Sequence, residues 1–452
     1  MSSIIDQIFE AGIVGCGGAG FPTHVKLGGG GIRHLILNGA ECEPLLRTDR
    51  YIMKHKATEL VQATQMVFTA IGAERCTIAL KAGYIQEIAA LEAAIAQTGS
   101  GVTLCKMKGF YPAGDEQAMV QQVTGSIVPP AGIPLDVGAA VSNVATILAA
   151  GEAAQGKPLT HKYLTVTGEV ANPTVAYVPV GTSFADCIGL AGGAAIEDYI
   201  VISGGPMMGL PLTKEQAAET VVTKTTSGIL VLPNSGYLAA QSKIPLSHMF
   251  NRARSACIQC RYCTDLCPRY LLGHPLEPHM IMRKTAMGGD IRQLLDDPDI
   301  RSAALCCECG VCEIVACPME LQPRRVNVTI KQALAEAGIR YPKGEQPEAP
   351  RTGWQYRKIP AKRAAVRANV LKYYDYQIDS LIEYTPGALR IPLQQHIGAA
   401  AQPVVGVGDR VSPGQLIARC PEGKLGANIH TGIGGRVAAV GQEILIESEG
   451  PL

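Results

Sequence analysis

Eight of the fifteen cysteines fall into two tight runs. Cys257, Cys260, Cys263 and Cys267 spell C-x2-C-x2-C-x3-C-P, and Cys306, Cys309, Cys312 and Cys317 repeat the pattern with one extra residue before the last C-P. Thiolates at this spacing hold [4Fe–4S] clusters: three at x2 intervals wrap one face of a cubane through a tight loop, and the fourth follows a turn of helix. The competing chemistry is a pair of tetrathiolate zinc sites. Zinc ribbons supply their cysteines two at a time, whereas each run here supplies four. The remaining seven, Cys16, Cys42, Cys76, Cys105, Cys187, Cys307 and Cys420, read as small buried side chains. Cys307 adjoins Cys306, yet Cys306 is the one with x2 spacing to Cys309.

In two-cluster ferredoxins the fourth cysteine of each run ligates the other cluster. On that pattern Cys257, Cys260, Cys263 and Cys317 surround one [4Fe–4S] centre, and Cys306, Cys309, Cys312 and Cys267 surround the second. Local ligation, each run closed by its own fourth cysteine, is the alternative. Arg252, Arg254, Arg261, Arg269, Arg324 and Arg325 lie around the two runs, where positive charge stabilises a reduced cluster.

A second stretch, GCGGAGFPTHVK at 15–26, contains G-x-G-x-x-G at Gly15, Gly17 and Gly20, with Glu41 and Glu43 about twenty residues on. A dinucleotide turn needs a strand before it and a helix after it. Here Ile4, Ile5, Ile8 and Phe9 have the spacing of a helix face, and downstream Pro22 and KLGGGG argue against a helix. The glycines therefore serve some other close approach of backbone. On residues alone, Glu41 and Glu43 read as a solvated turn after the strand HLILN.

Those sites need several domains to position them, and 452 residues suffice for that. A net charge of +1 with 17% charged residues excludes a global field for nucleic acid or a membrane surface. The most apolar stretches are interrupted by Gly, Ser, Asn and Thr, so no direct membrane span is expected. The first residues show no signal-peptide pattern, and a cytoplasmic location with metal-bound rather than disulfide-bonded cysteines is expected.

Four motifs occur in order over the first 150 residues: GCGGAGFPTHVK, NGAECEP, YPAGDE and VSNVAT. Together they resemble the FMN-binding domain of the NADH-oxidising subunit of respiratory complex I, and still more the Rnf C-subunit. That resemblance implies that Gly15, Gly17, Gly18, Lys26, Asn38, Tyr111, Gly114 and Asp115 line FMN, with Asn143 and Thr146 near its phosphate at a helix start. It further implies that Phe21, Glu43 and Glu116 contact NADH as co-substrate, Glu43 and Glu116 being the acids it assigns to catalysis. The family's second aromatic platform is replaced here by LGGGG, leaving Phe21 to stack the adenine.

The implied fold class is α/β multidomain: a Rossmann-like FMN domain over 1–155, a soluble-ligand-binding β-grasp domain over 156–245, a helical two-[4Fe–4S] ferredoxin-like domain over 246–338, a basic linker over 339–384 and a barrel-sandwich module over 385–452. The linker carries nine basic and two acidic side chains between 340 and 372. It reads as a solvated tether, with docking to an acidic partner as the lesser alternative. The last module resembles biotinyl and lipoyl carriers, with Lys424 near the carrier-lysine position but without the flanking residues for lipoylation.

In the Rnf C-subunit the barrel-sandwich sequence precedes the flavin domain; here it comes last. This order resembles the cobalamin reductases of the propanediol-utilisation bacterial microcompartment. The resemblance implies an NADH-dependent enzyme that reduces cob(III)alamin and cob(II)alamin to cob(I)alamin. It also implies an ATP:cob(I)alamin adenosyltransferase and microcompartment shell or lumen proteins as partners. An input subunit of an Rnf-type membrane complex and a non-enzymatic electron-transfer module are the alternatives.

Overall fold

The computed structural model describes residues 3–287 and 290–449. The N-terminal unit is built on β1 (His34–Gly39), whose apolar run HLILNG is shielded on both faces, as a central parallel strand requires. It begins with α1 (Ile4–Glu10) and α2 (Thr23–Gly28), with the glycine loop between them. After β1 come α3 (Thr48–His55), α4 (Ala57–Ala70), β2 (Arg75–Lys81), α5 (Ile85–Thr98), β3 (Thr103–Met107), α6 (Glu116–Thr124), β4 (Ala139–Asn143) and α7 (Val144–Ala153). The four strands pair in parallel in the order β3-β2-β1-β4. Helices α4, α5 and α7 bury Leu60, Val67, Leu91 and Ile147 on one face of the sheet, while α6 buries Met119 on the other.

The loop's surroundings differ partly from expectation. Upstream is a helix, as the spacing predicts, and a lone bridge from Val14 to Pro22 pinches the loop closed. Downstream, contrary to the reading of KLGGGG, α2 runs through Lys26 to Gly28. Pro22 does not prevent this, because it stands just before the first helical residue, where a missing N–H costs nothing.

The second unit is a six-stranded sheet built from β5 (His161–Gly168), β6 (Thr174–Pro179), β7 (Tyr199–Ser203), β8 (Leu210–Leu212) and β9 (Gly228–Pro233), with α8 (Phe184–Leu190) packed on it. Its sixth strand, β10 (Leu381–Glu383), arrives from the segment expected to be a tether and pairs in parallel with β6. The last module folds as two small sheets around Leu389, Ile417, Val437 and Ile446.

Residues 339–384 are thus a clasp and not a solvated tether. Trp354 buries its ring against Phe110 and Leu271, and its Nε1–H donates to Gln121 Oε1 at 2.7 Å. Ala364, Ala365, Ala368, Val370 and Tyr373 enter a core shared with the N-terminal unit, the grasp sheet and the second cysteine run. Many of its cations are already paired within the chain: Lys343 with Asp136, Arg357 with Asp265 and Lys372 with Glu169. Trp354→Ala is expected to cost about 3 kcal/mol in urea unfolding followed by circular dichroism. A segment without packing would show no change.

Candidate flavin cradle and thiol sites

Two short helical turns present the cysteines. The first run closes over an α-helical turn, Tyr262–Asp265, and the second over a six-residue π-helical turn, Val311–Ala316. The π turn absorbs the extra residue before Cys317, since widening the ring by one residue lets the chain reach the same place. Elsewhere the two runs share one trace. Gln259 and Arg261 in the first, and Glu308 and Gly310 in the second, all have positive φ, at the second and fourth positions after Cys257 and Cys306. In each run the residue two after the first cysteine also donates to its sulfur, Gln259 Nε2 to Cys257 at 3.2 Å and Glu308 N to Cys306 at 3.4 Å. This register makes Cys306 the counterpart of Cys257. Cys307, expected to be an inert buried side chain, instead stands beside Cys309, Cys267 and Arg269.

The structure brings together the thiols that the crossed pattern pairs. Cys257, Cys260, Cys263 and Cys317 line one cavity. Burial raises the Cys263 thiol to about 12, with Cys317, Cys257 and Cys260 adding to it. In the other group Cys312 lies within electrostatic reach of Cys306 and Cys267. Each fourth sulfur faces backbone N–H groups of the turn after it: Leu321 N donates to Cys317 at 3.3 Å, and Arg269 and Tyr270 do the same for Cys267. Among the described residues, no group of three His, Cys, Asp or Glu is gathered as a single-ion site.

The glycine loop, β4 and the start of α7 form the second constellation. Gly17 faces Asn143, and a Cβ on Gly17 would fall 2.8 Å from Asn143 Nδ2. Gly18 and Ala19 are exposed beside it, and Gly15 N–H donates to Phe21 O at 3.0 Å, with Phe21 half-buried. Asn143 caps α7 through Ala145 N–H at 2.9 Å, and Thr146 accepts from Cys16 N–H at 2.9 Å. Lys26 Nζ spans Glu116 Oε1 at 2.6 Å and Val141 O at 2.9 Å. Asn38 donates to Gly114 O at 2.9 Å, and a Cβ on Gly114 would fall 2.9 Å from the Cβ of Cys42. The result is a shallow cradle lined by backbone, with a helix N-terminus and one lysine. It fits a flat ligand carrying a phosphate.

Glu43 and Tyr111 connect the two constellations. The Tyr111 hydroxyl donates to Cys309 O at 2.7 Å and lies 3.4 Å from Glu43 Oε1, while Met207 N–H donates to Glu43 Oε2 at 2.8 Å. Burial lifts the Glu43 carboxyl to about 7, against the pull of the Met207 N–H and the Arg324 charge. Asp115 caps α6 and takes both nitrogens of Arg269, at 2.7 and 2.8 Å. With both side chains 10% exposed, this bidentate pair ties the cradle to the residues that follow Cys267.

Sequence reasoning missed several groups. Glu41, read as solvated, is buried at φ +36°, accepts from Asp49 N–H at 2.5 Å and is raised by burial. Asp49 in turn accepts from Asn143 Nδ2 at 2.7 Å and is raised by burial and by Glu41. Lys224 is fully buried between units, donating to Gly12 O at 2.7 Å and Asn428 O at 2.5 Å, and burial brings it down to about 7. Glu41 stands in the motif NGAECEP, whereas Asp49 lies five residues beyond its end. Nothing local marks Lys224.

A parallel sheet with a glycine cradle, joined to a helical domain carrying two thiol sets, is the architecture of a flavin and iron–sulfur oxidoreductase. Residues 8–152 match the Nuo51 FMN-binding domain, 163–211 the SLBB domain, 256–322 a 4Fe-4S dicluster domain and 377–450 the RnfC barrel sandwich hybrid domain. The chain is 41% identical to cobalamin reductase PduS of Salmonella typhimurium over 98% of its own length and 97% of that protein. Against PduS of Citrobacter freundii the figures are 39%, 98% and 95%. The C-subunit of the Na+-translocating ferredoxin:NAD+ oxidoreductase complex of Acetobacterium woodii is 35% identical, over 60% of the chain and 58% of that relative. The chain belongs to the PduS cobalamin reductase family.

Glu43 supplies a pH test. Its carboxyl holds a proton up to about 7 when folded and up to an ordinary 4.5 when unfolded, so the folded state binds more protons in that window and loses stability as pH rises through it. Glu43→Gln, which keeps the shape of the protonated acid, is expected to flatten that fall in unfolding curves taken between those pH values. Parallel curves for the two proteins would place the titration elsewhere.

Proposed function

We propose that the chain is an NADH-dependent cobalamin reductase, carrying FMN at the glycine cradle and one [4Fe–4S] cluster in each thiol set. The single observation that carries this reading is that cradle and thiol sets form one continuous structure through Glu43, Tyr111 and Cys309, in a chain related to PduS over 98% of its length. FMN when bound supplies the conversion from a hydride to single electrons, and the clusters carry them one at a time. Two cob(II)alamin and one NADH then give two cob(I)alamin, NAD+ and a proton; cob(III)alamin consumes one further electron per cobalt.

The chain's own residues do the positioning. Gly15, Gly17 and Gly18 let backbone approach the flavin ring, with Lys26, Asn38, Tyr111 and Gly114 at its border. Asn143 caps the helix whose free N–H groups suit the phosphate, and Thr146 holds the loop against it through Cys16. Asp115 fixes the cradle to Arg269. Phe21 stacks NADH, and Glu43 and Glu116 contact it. Cys257, Cys260, Cys263 and Cys317 ligate one cluster; Cys306, Cys309, Cys312 and Cys267 ligate the other. Cob(I)alamin is short-lived, which fits delivery to an adenosyltransferase in the cytoplasm within a microcompartment, beside its shell or lumen proteins.

Anaerobic stopped-flow mixing with NADH and then cob(II)alamin tests the reading. Flavin bleaching followed by cob(I)alamin is expected, and bleaching without cobalt reduction would reject it. Glu116→Ala is expected to slow bleaching by NADH about tenfold or more while FMN and iron content stay at wild-type levels. Loss of FMN during purification would instead make Glu116, through its pair with Lys26, a flavin-holding residue.

A further inference from the structure

A cleft of about 880 Å³ opens between the edge of the grasp sheet and the helical domain. One wall is the edge strand β8, whose Leu210 is 63% exposed, with Tyr199 beside it. Tyr237, half-buried, stands on the other side. The back wall is Glu313, which follows Cys312 in the chain and pairs with Arg324 at 2.7 Å. Arg324 also donates to Met207 O at 2.7 Å, the residue whose N–H holds Glu43. The cleft thus lies one residue along the chain from Cys312 and, through Arg324 and Met207, adjoins the link to the cradle. Lys214 and Lys243 lie exposed at its rim.

We infer that this cleft seats the corrinoid substrate, an assignment that rests on the chain being a cobalamin reductase. A corrin is a broad apolar ring fringed by amides, with a phosphate on a flexible tether. Leu210, Tyr199 and Tyr237 offer the apolar walls, and a cavity of this size takes a large ligand part-way, leaving its fringe in water. The two rim lysines, whose ammonium groups donate to Glu197 O at 3.3 Å and to Asn234 Oδ1 at 2.7 Å, are the cations at hand for the tether's phosphate. Cobalt gains one electron per turn, no bond to the protein forms or breaks, and two turns consume the hydride of one NADH with release of H+.

Three features make the cleft testable without unfolding the protein: Leu210, Lys214 and Lys243 are all exposed. Equilibrium dialysis of hydroxocobalamin against the holoprotein is the direct readout. Leu210→Arg, and separately Lys214→Glu with Lys243→Glu, are expected to weaken binding about tenfold and to raise KM for cob(II)alamin alike. Flavin bleaching by NADH and electron transfer to ferricyanide are expected to stay at wild-type rates. If wild type binds and reduces cobalamin and both variants match it within twofold, the cleft is not the site. If wild type neither binds nor reduces cobalamin, the reductase reading fails together with the cleft.

Discussion

The thiol sets close across the two cysteine runs, and that crossing governs the arrangement of the rest. Cys317 stands with Cys257, Cys260 and Cys263, and Cys267 with the second run, so the turn Tyr262–Asp265 must pack against the π turn Val311–Ala316. The apolar side chains of the helical domain, among them Met249, Ile281, Ile300 and Ile330, gather into a core that includes Cys267 and Cys317. Because Pro268 and Arg269 immediately follow Cys267, the crossing also sets where Arg269 meets Asp115. Breaking that pair from one side would leave a charge buried and uncompensated, a penalty of about 3 to 5 kcal/mol.

The cradle is held from a different direction. The barrel-sandwich module comes last in the chain yet lies against the first loop: a Cβ on Gly20 would fall 2.8 Å from the His396 Cβ, and one on Gly12 would fall 2.1 Å from Asn428 O. Lys224 of the grasp unit sits in the same seam, its ammonium held by carbonyls of both Gly12 and Asn428. A module that meets the loop through space needs no adjacency in sequence. Its place at the end of the chain is therefore compatible with bracing the glycines.

Legibility followed the distance over which each signal acts. The cysteine runs are local: four thiols per run favoured clusters over zinc ribbons, and the C-P ending of both runs, as in two-cluster ferredoxins, suggested the crossed grouping. The role of Asp115 was opaque because its partner lies 154 residues away, and burial of Glu41 and Glu43 depends on units folded around them. The clasp was hidden by its own charge. Nine cations concealed the apolar face of Ala364, Ala365 and Ala368 and the burial of Trp354. The helix after the glycine loop was missed because Pro22 and the glycines of KLGGGG were weighed as breakers, although Pro22 precedes the first helical residue and a final turn tolerates Gly28.

The crossing of fourth cysteines is the claim on which the account stands, and electron paramagnetic resonance of the reduced protein tests it directly. Cys317→Ala is compared with Cys267→Ala, using Cys260→Ala and Cys309→Ala to identify which signal belongs to which run. The account predicts that Cys317→Ala disturbs the signal lost with Cys260, and Cys267→Ala the signal lost with Cys309, from a wild type holding about eight irons per chain. If each fourth cysteine instead affects the signal of its own run, the thiol sets close locally and the crossing is wrong.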